Sequence, residues 1–284
     1  MSGVSARSLA STISACYSAG QTAATGSSAI EPSKYRNCAE STDWLVGHRG
    51  WPDRFPENSL EGVQAALEAG ARFVEFDVQV TADRHAVVVH DDNLERLTGK
   101  PRRVTASTLG QLEALHIKGP RGSQASIPTL SQMLDLVARH PQATAFVELK
   151  RDSIRRHGLQ AAMDCVLTQL QSTQSRVVFI SFSWRAVRRA QNNNALPTGW
   201  VFRPWSVVAR IMAGWLKPDY LFVRADRVPD RARPFWPGAW RWVIYKVGNP
   251  DQALALREHG ADMIEVDDLP GQLKILQSRQ GIAS

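Results

Sequence analysis

Short apolar runs and amphipathic stretches alternate along the chain from residue 44 onwards. The apolar runs are rich in Val, Ile and aromatic residues, which is typical of buried strands. Helical patterns at 60–69, 130–139 and 252–259 lie between some of them. This alternation predicts βα units around a parallel sheet. The predicted strands are 44–47, 72–80, 86–90, 144–150, 176–182, 199–202, 220–223, 242–247 and 263–267.

One connection is too short to join parallel neighbours. Parallel strands need a crossover of about a dozen residues or more, but only residues 81–85 separate Val80 from Ala86. We therefore expect an antiparallel hairpin that turns near Asp83 and sets Asp77 roughly opposite His90. Eight strands remain. The sequence predicts an α/β fold, a single (β/α)8 TIM barrel with an antiparallel hairpin extension after the second strand.

The first 42 residues differ from the rest of the chain. Ser, Ala, Thr and Gly dominate there, and apolar residues are too sparse to order a core. We predict a disordered Ser/Ala-rich tail at 1–42 and one barrel domain at 43–284. Residues 13–16 resemble a lipoprotein cleavage site, but serines interrupt the preceding apolar region, which makes it a poor signal peptide. The sequence leaves open whether residues 1–42 are a signal or a mis-called start. The three cysteines are too few for a disulfide framework, and we expect a cytoplasmic location.

The composition narrows the classes of partner. With 43% hydrophobic and 21% charged residues, the chain has an ordinary globular composition, which excludes a wholly disordered or fibrous protein. No run approaches the roughly 18 uninterrupted apolar residues of a membrane span. The net charge of +7 favours anionic partners such as phosphate esters or acidic lipid. No nucleic-acid-binding motif accompanies this charge, so we expect no nucleic-acid partner.

Carboxylates alternate with apolar residues on two of the predicted strands. Glu75 and Asp77 face away from the apolar side of their strand, and Glu148 does the same on the strand at 144–150. Because the helix-facing side of a barrel strand must be apolar, all three should point into the barrel. Like charges buried together are costly. A divalent cation with oxygen ligands, Mg²⁺ or Ca²⁺, would remove that cost; pairing with arginines is the alternative.

Further polar residues lie where predicted strands end, which is the active-site face of a TIM barrel. His48 follows the first strand and His90 ends the hairpin, so two imidazoles lie beside the carboxylates. Arg49 offers a planar fork that suits phosphate. Lys150 supplies a second positive charge for a phosphoryl oxygen, with a salt bridge to Glu148 as the alternative.

The first βα loop contributes two more polar residues. Asn58 precedes the first predicted helix, and Glu61 lies three residues further on. This spacing fits a capping box, so we expect Asn58 to cap the helix. Glu57 has no such structural explanation, and it lies in a loop where ligand contacts belong.

Short motifs recur along the chain at 48–50, 56–59, 75–78, 81–83, 89–91, 127–130, 148–150, 180–182 and 260–262. In this order, these motifs resemble those of the glycerophosphodiester phosphodiesterase family. The resemblance covers approximately residues 44–273. Residues 245–248 and 266–267 depart from the family's usual pattern, which leaves the shape of the pocket and the preferred head group open.

The resemblance implies a TIM-barrel hydrolase that uses a divalent cation, Mg²⁺ or Ca²⁺. Such an enzyme cleaves small-molecule glycerophosphodiesters to sn-glycerol 3-phosphate and an alcohol, in lipid and glycerol metabolism. By position, the resemblance implies metal ligands at Glu75, Asp77 and Glu148. It implies an acid/base pair at His48 and His90, and substrate or phosphate contacts at Arg49, Lys150 and Glu57.

A basic, tryptophan-rich segment favours a second function. Residues 184–241 carry ten Arg and one Lys against three Asp, with most of the tryptophans of the chain. Trp and Arg suit a lipid interface. Residues 205–216 are therefore either a lipid-facing segment or an outer barrel helix packed on the strands.

Two alternatives to the first function remain. One is a lysophospholipase D that acts on lysophospholipids during transient contact with a membrane surface. The other is a catalytically silent barrel used as a binding module, although a binding module has no reason to keep buried like charges together. The sequence leaves the metal, the alcohol head group and the oligomeric state open.

Overall fold

The computed structural model describes residues 43–192, 196–230 and 233–279. The tail predicted at 1–42 lies outside the described residues. The strands, in chain order, are β1 (Leu45–His48), β2 (Phe73–Val80), β3 (Ala86–Val88), β4 (His116–Lys118), β5 (Gln124–Ser126), β6 (Thr144–Leu149), β7 (Arg176–Ser181), β8 (Thr198–Val201), β9 (Tyr220–Arg224), β10 (Arg241–Val247) and β11 (Met263–Val266).

Helices connect most of these strands. They are α1 (Leu60–Glu68), α2 (Glu95–Thr98), α3 (Leu109–Glu113), α4 (Leu130–Ala138), α5 (Arg151–His157), α6 (Leu159–Ser172), α7 (Trp184–Asn192), α8 (Val207–Leu216), α9 (Pro250–His259) and α10 (Leu269–Arg279). None of the helices in the described ranges is both long enough and apolar enough to cross a bilayer.

Eight parallel strands close into a barrel. Their order is β1-β2-β6-β7-β8-β9-β10-β11, and β11 pairs with β1 to close the ring. Every pairing around the ring is parallel. α-Helices lie between successive strands except between β9 and β10, where the described residues form only a short 3-10 turn at Ala225–Arg227. The predicted (β/α)8 barrel is therefore confirmed.

The strand predicted at 86–90 is the one in excess of the eight barrel strands. It is observed as β3, and it pairs with β2 in the antiparallel hairpin that the short connection required. Val78 pairs with Val88 and Val80 with Ala86. The N–H of Val89 donates to the carbonyl of Asp77 over 2.9 Å. The predicted hairpin is correct, but Asp77 lies opposite Val89 rather than His90, so the expected register was wrong by one residue.

Apolar side chains fill the lower interior of the barrel. Phe146 packs edge-on against Tyr220 and Phe222, with ring centroids 5.0 and 5.2 Å apart. Because the strands run in one direction, residues early in each strand fill the N-terminal half of the barrel. Phe146 is two residues before Glu148 on the same face. The aromatic cluster thus forms the floor beneath the polar mouth.

Residues 89–127 form a short insertion between β3 and α4. It contains α2, α3 and the β4–β5 hairpin around a small apolar cluster of its own, which includes Leu94, Leu97 and Ile117. This cluster anchors the insertion beside the C-terminal end of β2. The insertion thereby brings Asp91 and Arg96 to the rim of the barrel mouth.

Candidate active site

Three buried carboxylates converge near the C-terminal ends of β2 and β6. Asp77 is paired in register with Glu148 across the two strands, and Glu75 lies two residues earlier on β2. One oxygen of each side chain lies within 4.8 Å of the others. The structure thus brings together the three residues expected to bind a metal, and they face the barrel interior as the alternation of the strands predicts.

The three carboxylates differ in how their charges are balanced. Burial favours the neutral form of Asp77, but the charges of Lys150 and Arg49 outweigh burial and hold its pKa well below the ordinary value. Burial, together with the neighbouring Asp77, raises the pKa of Glu75 well above its ordinary value. Burial also raises the pKa of Glu148. With all three ionised, the cluster would carry more negative charge than its protein neighbours balance.

Lys150 and Arg49 are held by the acids of this cluster. Lys150 Nζ lies 2.9 Å from Asp77 Oδ1 and 2.9 Å from Glu148 Oε1. Arg49 Nε lies 3.1 Å from Asp77 Oδ2. The salt bridge considered for Lys150 is therefore present, and both predicted phosphate contacts are ion pairs with the cluster.

Glu57 lies at the rim of the cluster. It accepts two hydrogen bonds of 2.8 Å from Arg96 and one of 2.8 Å from Arg49. Arg96 also donates to Asp91 over 2.6 Å. Glu57 is outside the group of three acids whose oxygens lie within 4.8 Å of one another. The structure therefore places Glu57 as a bridge between arginines, beside the group that could hold an ion.

The two predicted histidines line one small pocket with the three acids. This pocket, of about 50 Å³, is lined by both rings as well as by Glu75, Asp77 and Glu148. His48 Nδ1 lies 2.6 Å from Asp267 Oδ1, and His90 Nδ1 lies 2.5 Å from Asp91 Oδ1. Because a carboxylate holds Nδ1 of each ring, Nε2 is left for proton exchange with a ligand.

The carboxylate behind His48 also affects its pKa. Burial lowers the pKa of His48, and the hydrogen bond that its Nδ1–H donates to Asp267 opposes this effect. The same hydrogen bond lowers the pKa of Asp267 against its own burial. Asp267 therefore both orients the His48 ring and favours its charged form.

The strand β11 supplies two site residues that the sequence analysis did not assign. Glu265 pairs in register with Val46 of β1 and is buried. Its Oε1 accepts no hydrogen bond from the described residues, and burial together with Glu148 raises its pKa to about 8. The signal was present, because Glu265 and Asp267 alternate with apolar residues as Glu75 and Asp77 do.

Asn58 is a site residue rather than the cap of α1. Its Nδ2 donates to Asp77 Oδ2 over 3.0 Å, and its Oδ1 accepts from the N–H of Asp77 over 3.0 Å. The cap is Ser59, whose Oγ accepts from the N–H of Gly62 over 3.0 Å. Asn58 has a φ of 62°, which Asn tolerates better than most residues. The predicted cap was therefore wrong by one residue.

A wider cleft adjoins the small pocket. It has a volume of about 610 Å³ and shares His90, Glu148 and Lys150 with the small pocket. Arg103 and Arg155 are among its other lining residues. A phosphate ester in this cleft would meet guanidinium groups, and its phosphoryl group could reach the histidines and acids of the small pocket.

The fold and the site together define a TIM barrel with a carboxylate and histidine centre at its mouth. Residues 48–235 match the model of the glycerophosphoryl diester phosphodiesterase family. This match covers most of the chain, and the chain belongs to that family. The family recognised from the sequence, and with it an enzyme of the glycerophosphodiester phosphodiesterase class, is confirmed.

Individual relatives agree with this assignment. A glycerophosphodiester phosphodiesterase of Caldanaerobacter subterraneus subsp. tengcongensis is 28% identical over 233 residues, a match that covers 79% of this chain and 93% of the relative. A glycerophosphodiester phosphodiesterase of Bacillus altitudinis is 30% identical over 141 residues, covering 49% of this chain and 57% of the relative.

Solved structures share the fold. A phosphodiesterase of Oleispira antarctica, in complex with the product sn-glycerol-3-phosphate, has a TM-score of 0.70 at 19% identity, covering 82% of this chain and 96% of that structure. A glycerophosphodiester phosphodiesterase of Thermotoga maritima has a TM-score of 0.66 at 22% identity, covering 83% and 99%. At sequence identities this low, the similarity shows a shared fold and nothing more.

Proposed function

We propose that this chain hydrolyses glycerophosphodiesters to sn-glycerol 3-phosphate and an alcohol, with the aid of a divalent cation. Family membership supports the class of reaction, and the product held by the Oleispira antarctica structure supports sn-glycerol 3-phosphate as the product. The observation that carries the proposal is the single pocket lined by Glu75, Asp77, Glu148, His48 and His90.

The residues of the cluster fit a divalent cation. Three buried carboxylates lie close together, and Glu75 is driven towards its neutral form because its neighbours do not balance its charge. Glu265 Oε1, buried nearby, lacks a hydrogen bond within the described residues. An all-oxygen set suits Mg²⁺ or Ca²⁺. When bound, such an ion supplies positive charge to the phosphoryl oxygens and lowers the pKa of a coordinated nucleophile.

The histidines exchange protons with the substrate. With Nδ1 held by Asp267 or Asp91, each ring keeps Nε2 for the substrate. One ring takes the proton of the attacking hydroxyl, and the other gives a proton to the departing alkoxide. The net reaction adds one water across the bond between phosphorus and the oxygen of the alcohol.

Arg49 and Lys150 bind the phosphate in this proposal. In the described structure they pair with Asp77 and Glu148. An ion held by Glu75, Asp77 and Glu148 would balance the charge of these acids, and Arg49 and Lys150 would then be available to phosphate oxygens. Glu57 then fixes the guanidinium of Arg49 through their 2.8 Å contact.

The test is hydrolysis of glycerophosphocholine by the purified full chain. We expect release of glycerol 3-phosphate that stops in EDTA and returns with Mg²⁺ or Ca²⁺. His48→Ala should abolish it, whereas His116→Ala, which changes an exposed histidine on β4, should not. The proposal is contradicted if the wild-type chain remains active in EDTA and His48→Ala remains active as well. It is also contradicted if the wild-type chain shows no turnover with Mg²⁺ or with Ca²⁺.

A further inference from the structure

The helix α8 exposes a row of apolar side chains although it is packed on the barrel. Ala209, Ala213 and Leu216 are buried in the main core. The opposite face carries four exposed apolar residues at helical spacing, and we call them the α8 stripe. They are Val207, Val208, Ile211 and Trp215, whose exposed fractions are 74, 70, 66 and 52%.

The exposed apolar surface continues onto the neighbouring helix α7. Trp184, at the start of α7, lies edge-on to Trp215 with ring centroids 5.7 Å apart, and it is 37% exposed. The guanidinium of Arg185 lies 5.3 Å from the ring of Trp184, and that of Arg188 lies 5.3 Å from the ring of Trp215. Contiguous exposed apolar surface of this kind marks an interaction site.

An apolar groove connects this surface to the catalytic mouth. The groove has a volume of about 550 Å³, and Trp184, Val208 and Met212 line it on the side of the helices. Phe182 and Arg203 line it as well, and both also line the cleft that contains His90 and Lys150. Phe182 further lines the small catalytic pocket. The groove therefore leads from the α8 stripe to the reacting centre.

The positive charges around the α8 stripe favour an anionic partner. The chain from Trp184 to Lys217 contains five Arg and one Lys and no Asp or Glu. Within the described ranges, none of the exposed cations Arg185, Arg188, Arg203, Arg210 and Lys217 forms an ion pair with a carboxylate. A second copy of the chain docked here would oppose cations with cations. Exposed aliphatic and Trp side chains among Arg and Lys are instead typical of surfaces that lie on anionic lipid.

We propose that the α8 stripe seats the protein on an anionic lipid bilayer and that the groove binds the aliphatic chain of a single-chain glycerophosphodiester. The inference rests on the proposed function, since it assigns a class of substrate to the same catalytic centre. The oxygen of one water bonds to phosphorus, the bond from phosphorus to the head-group oxygen breaks, and that oxygen receives a proton. The phosphate monoester keeps the glycerol and its chain.

A series of substrates tests the groove. Glycerophosphocholine is compared with 1-acyl-glycerophosphocholines of increasing chain length, all below their micelle-forming concentrations. Each methylene taken from water into an apolar groove strengthens binding by up to about fourfold, so we expect kcat/KM to rise with chain length. Turnover of glycerophosphocholine with kcat/KM independent of chain length overturns the inference and leaves the proposed function intact. No turnover of any substrate contradicts the proposed function itself.

Two groove variants sharpen this comparison. Met212→Trp narrows the groove, and Val208→Asp places a carboxylate at its edge on a mostly exposed position. For each, we expect the ratio of kcat/KM on the octanoyl substrate to kcat/KM on glycerophosphocholine to fall by about tenfold, the equivalent of one to two buried methylenes. Ile275→Asp, which alters an exposed apolar residue of α10, is the matched control. If this ratio is the same in the wild type, Met212→Trp, Val208→Asp and Ile275→Asp, the groove does not bind the aliphatic chain.

Co-sedimentation with lipid vesicles tests the stripe. We expect the wild-type chain to bind phosphatidylcholine vesicles that contain phosphatidylglycerol, to bind less at high salt, and to bind pure phosphatidylcholine weakly. Ile211→Asp should weaken binding at least tenfold, and Ile275→Asp should not. Equal binding by these two variants overturns the docking surface. A dimer in solution that Ile211→Asp dissociates overturns it too, because the stripe would then cover a second copy.

Discussion

Two strands flank β1 in the barrel, β2 and β11, and each points a pair of carboxylates at the mouth. On β2, Asp77 meets Lys150, Arg49 and the amide of Asn58, and its pKa lies well below the ordinary value. On β11, Glu265 has an oxygen without a hydrogen bond within the described residues, and its pKa is raised to about 8. The same alternation of residues thus places an ionised Asp77 on one strand and a mainly neutral Glu265 on the other. The second member of each pair shifts the opposite way, since the pKa of Glu75 is raised and that of Asp267 is lowered.

The difference shows which properties a strand determines alone. Alternation along a strand decides that a carboxylate faces the barrel interior. Its ionisation depends on cations that other parts of the chain supply, here Arg49 after β1 and Lys150 after β6. The β2 side therefore forms the acidic group that fits a cation, and the β11 side orients His48 through Asp267. Four substitutions test this division, in order of expected effect.

Glu75→Gln should have the largest effect, because it removes a proposed metal ligand without changing the shape of the side chain. We expect kcat/KM on glycerophosphocholine to fall about a thousandfold, or about 4 kcal/mol. Glu61→Gln, at an exposed position of α1, is the matched control. A loss smaller than about tenfold would contradict the role of the β2 pair.

Glu265→Gln should change stability rather than remove a ligand. The pKa of Glu265 is raised from 4.5 to about 8, so the folded protein retains a proton that the unfolded chain releases. In EDTA, wild-type stability should therefore fall as the pH rises from about 4.5 towards 8. Near pH 8 the free energy of unfolding of the variant should exceed that of the wild type by about 3 kcal/mol. Near pH 4.5 the two proteins should be equally stable. Urea denaturation curves that differ by the same amount at every pH would contradict this reading.

Asp267→Asn should lower kcat/KM about a hundredfold, because His48 loses the group that orients it. The hydrogen bond that His48 donates to Asp267 raises the pKa of His48, so its loss lowers that pKa further. The limb of the pH–rate profile that depends on His48 should therefore move to lower pH. Asp251→Asn, on the exposed side of α9, controls for the loss of a surface charge. If the pH–rate profile of Asp267→Asn matches that of the wild type, Asp267 has only a structural role.

Ser59→Ala should have the smallest effect, about 1 kcal/mol lower stability from the lost cap of α1. Urea denaturation measures it, and kcat/KM should stay at the wild-type value. Ser278→Ala, near the exposed end of α10, is the control. A marked loss of activity in Ser59→Ala alone would show that the cap also positions the adjacent Asn58 against Asp77.

Much of the fold follows from the local pattern of the sequence. The eight barrel strands and the β2–β3 hairpin are predictable because buried strands carry continuous apolar runs and because five residues are too few for a parallel crossover. The inward direction of Glu75, Asp77 and Glu148 follows from alternation. The pairs Val78–Val88 and Val80–Ala86 centre the turn on Asp83, as expected. This centre sets Asp77 opposite Val89, one residue before the rough expectation of His90.

The pairing of charges within the site was less predictable. Asn58 was assigned to the helix cap because two adjacent residues, Asn58 and Ser59, are both of the capping type. In the structure they differ in the positive φ of Asn58 and in their partners, Asp77 for Asn58 and the N–H of Gly62 for Ser59. Glu265 and Asp267 carried the same alternating signal as the β2 pair. That signal alone does not show that β11 closes the barrel beside β1, which depends on the contacts of the whole sheet.

The outer surface was predictable only in part. Residues 205–216 are apolar on nearly every side, so their pattern could not separate a packed helix from a lipid-facing one. In the structure α8 is packed through Ala209 and Ala213 and also exposes Val207 and Ile211. The two readings were not exclusive, because both faces of this helix are apolar.

The most direct test of the central claim is anomalous diffraction from crystals of the full chain soaked in Mn²⁺. We expect a single strong anomalous peak among Glu75, Asp77 and Glu148, about 2.0–2.6 Å from their carboxylate oxygens. We also expect the Lys150 ammonium group to be displaced from Asp77. No peak at this position, with Lys150 still bridging Asp77 and Glu148, would contradict it.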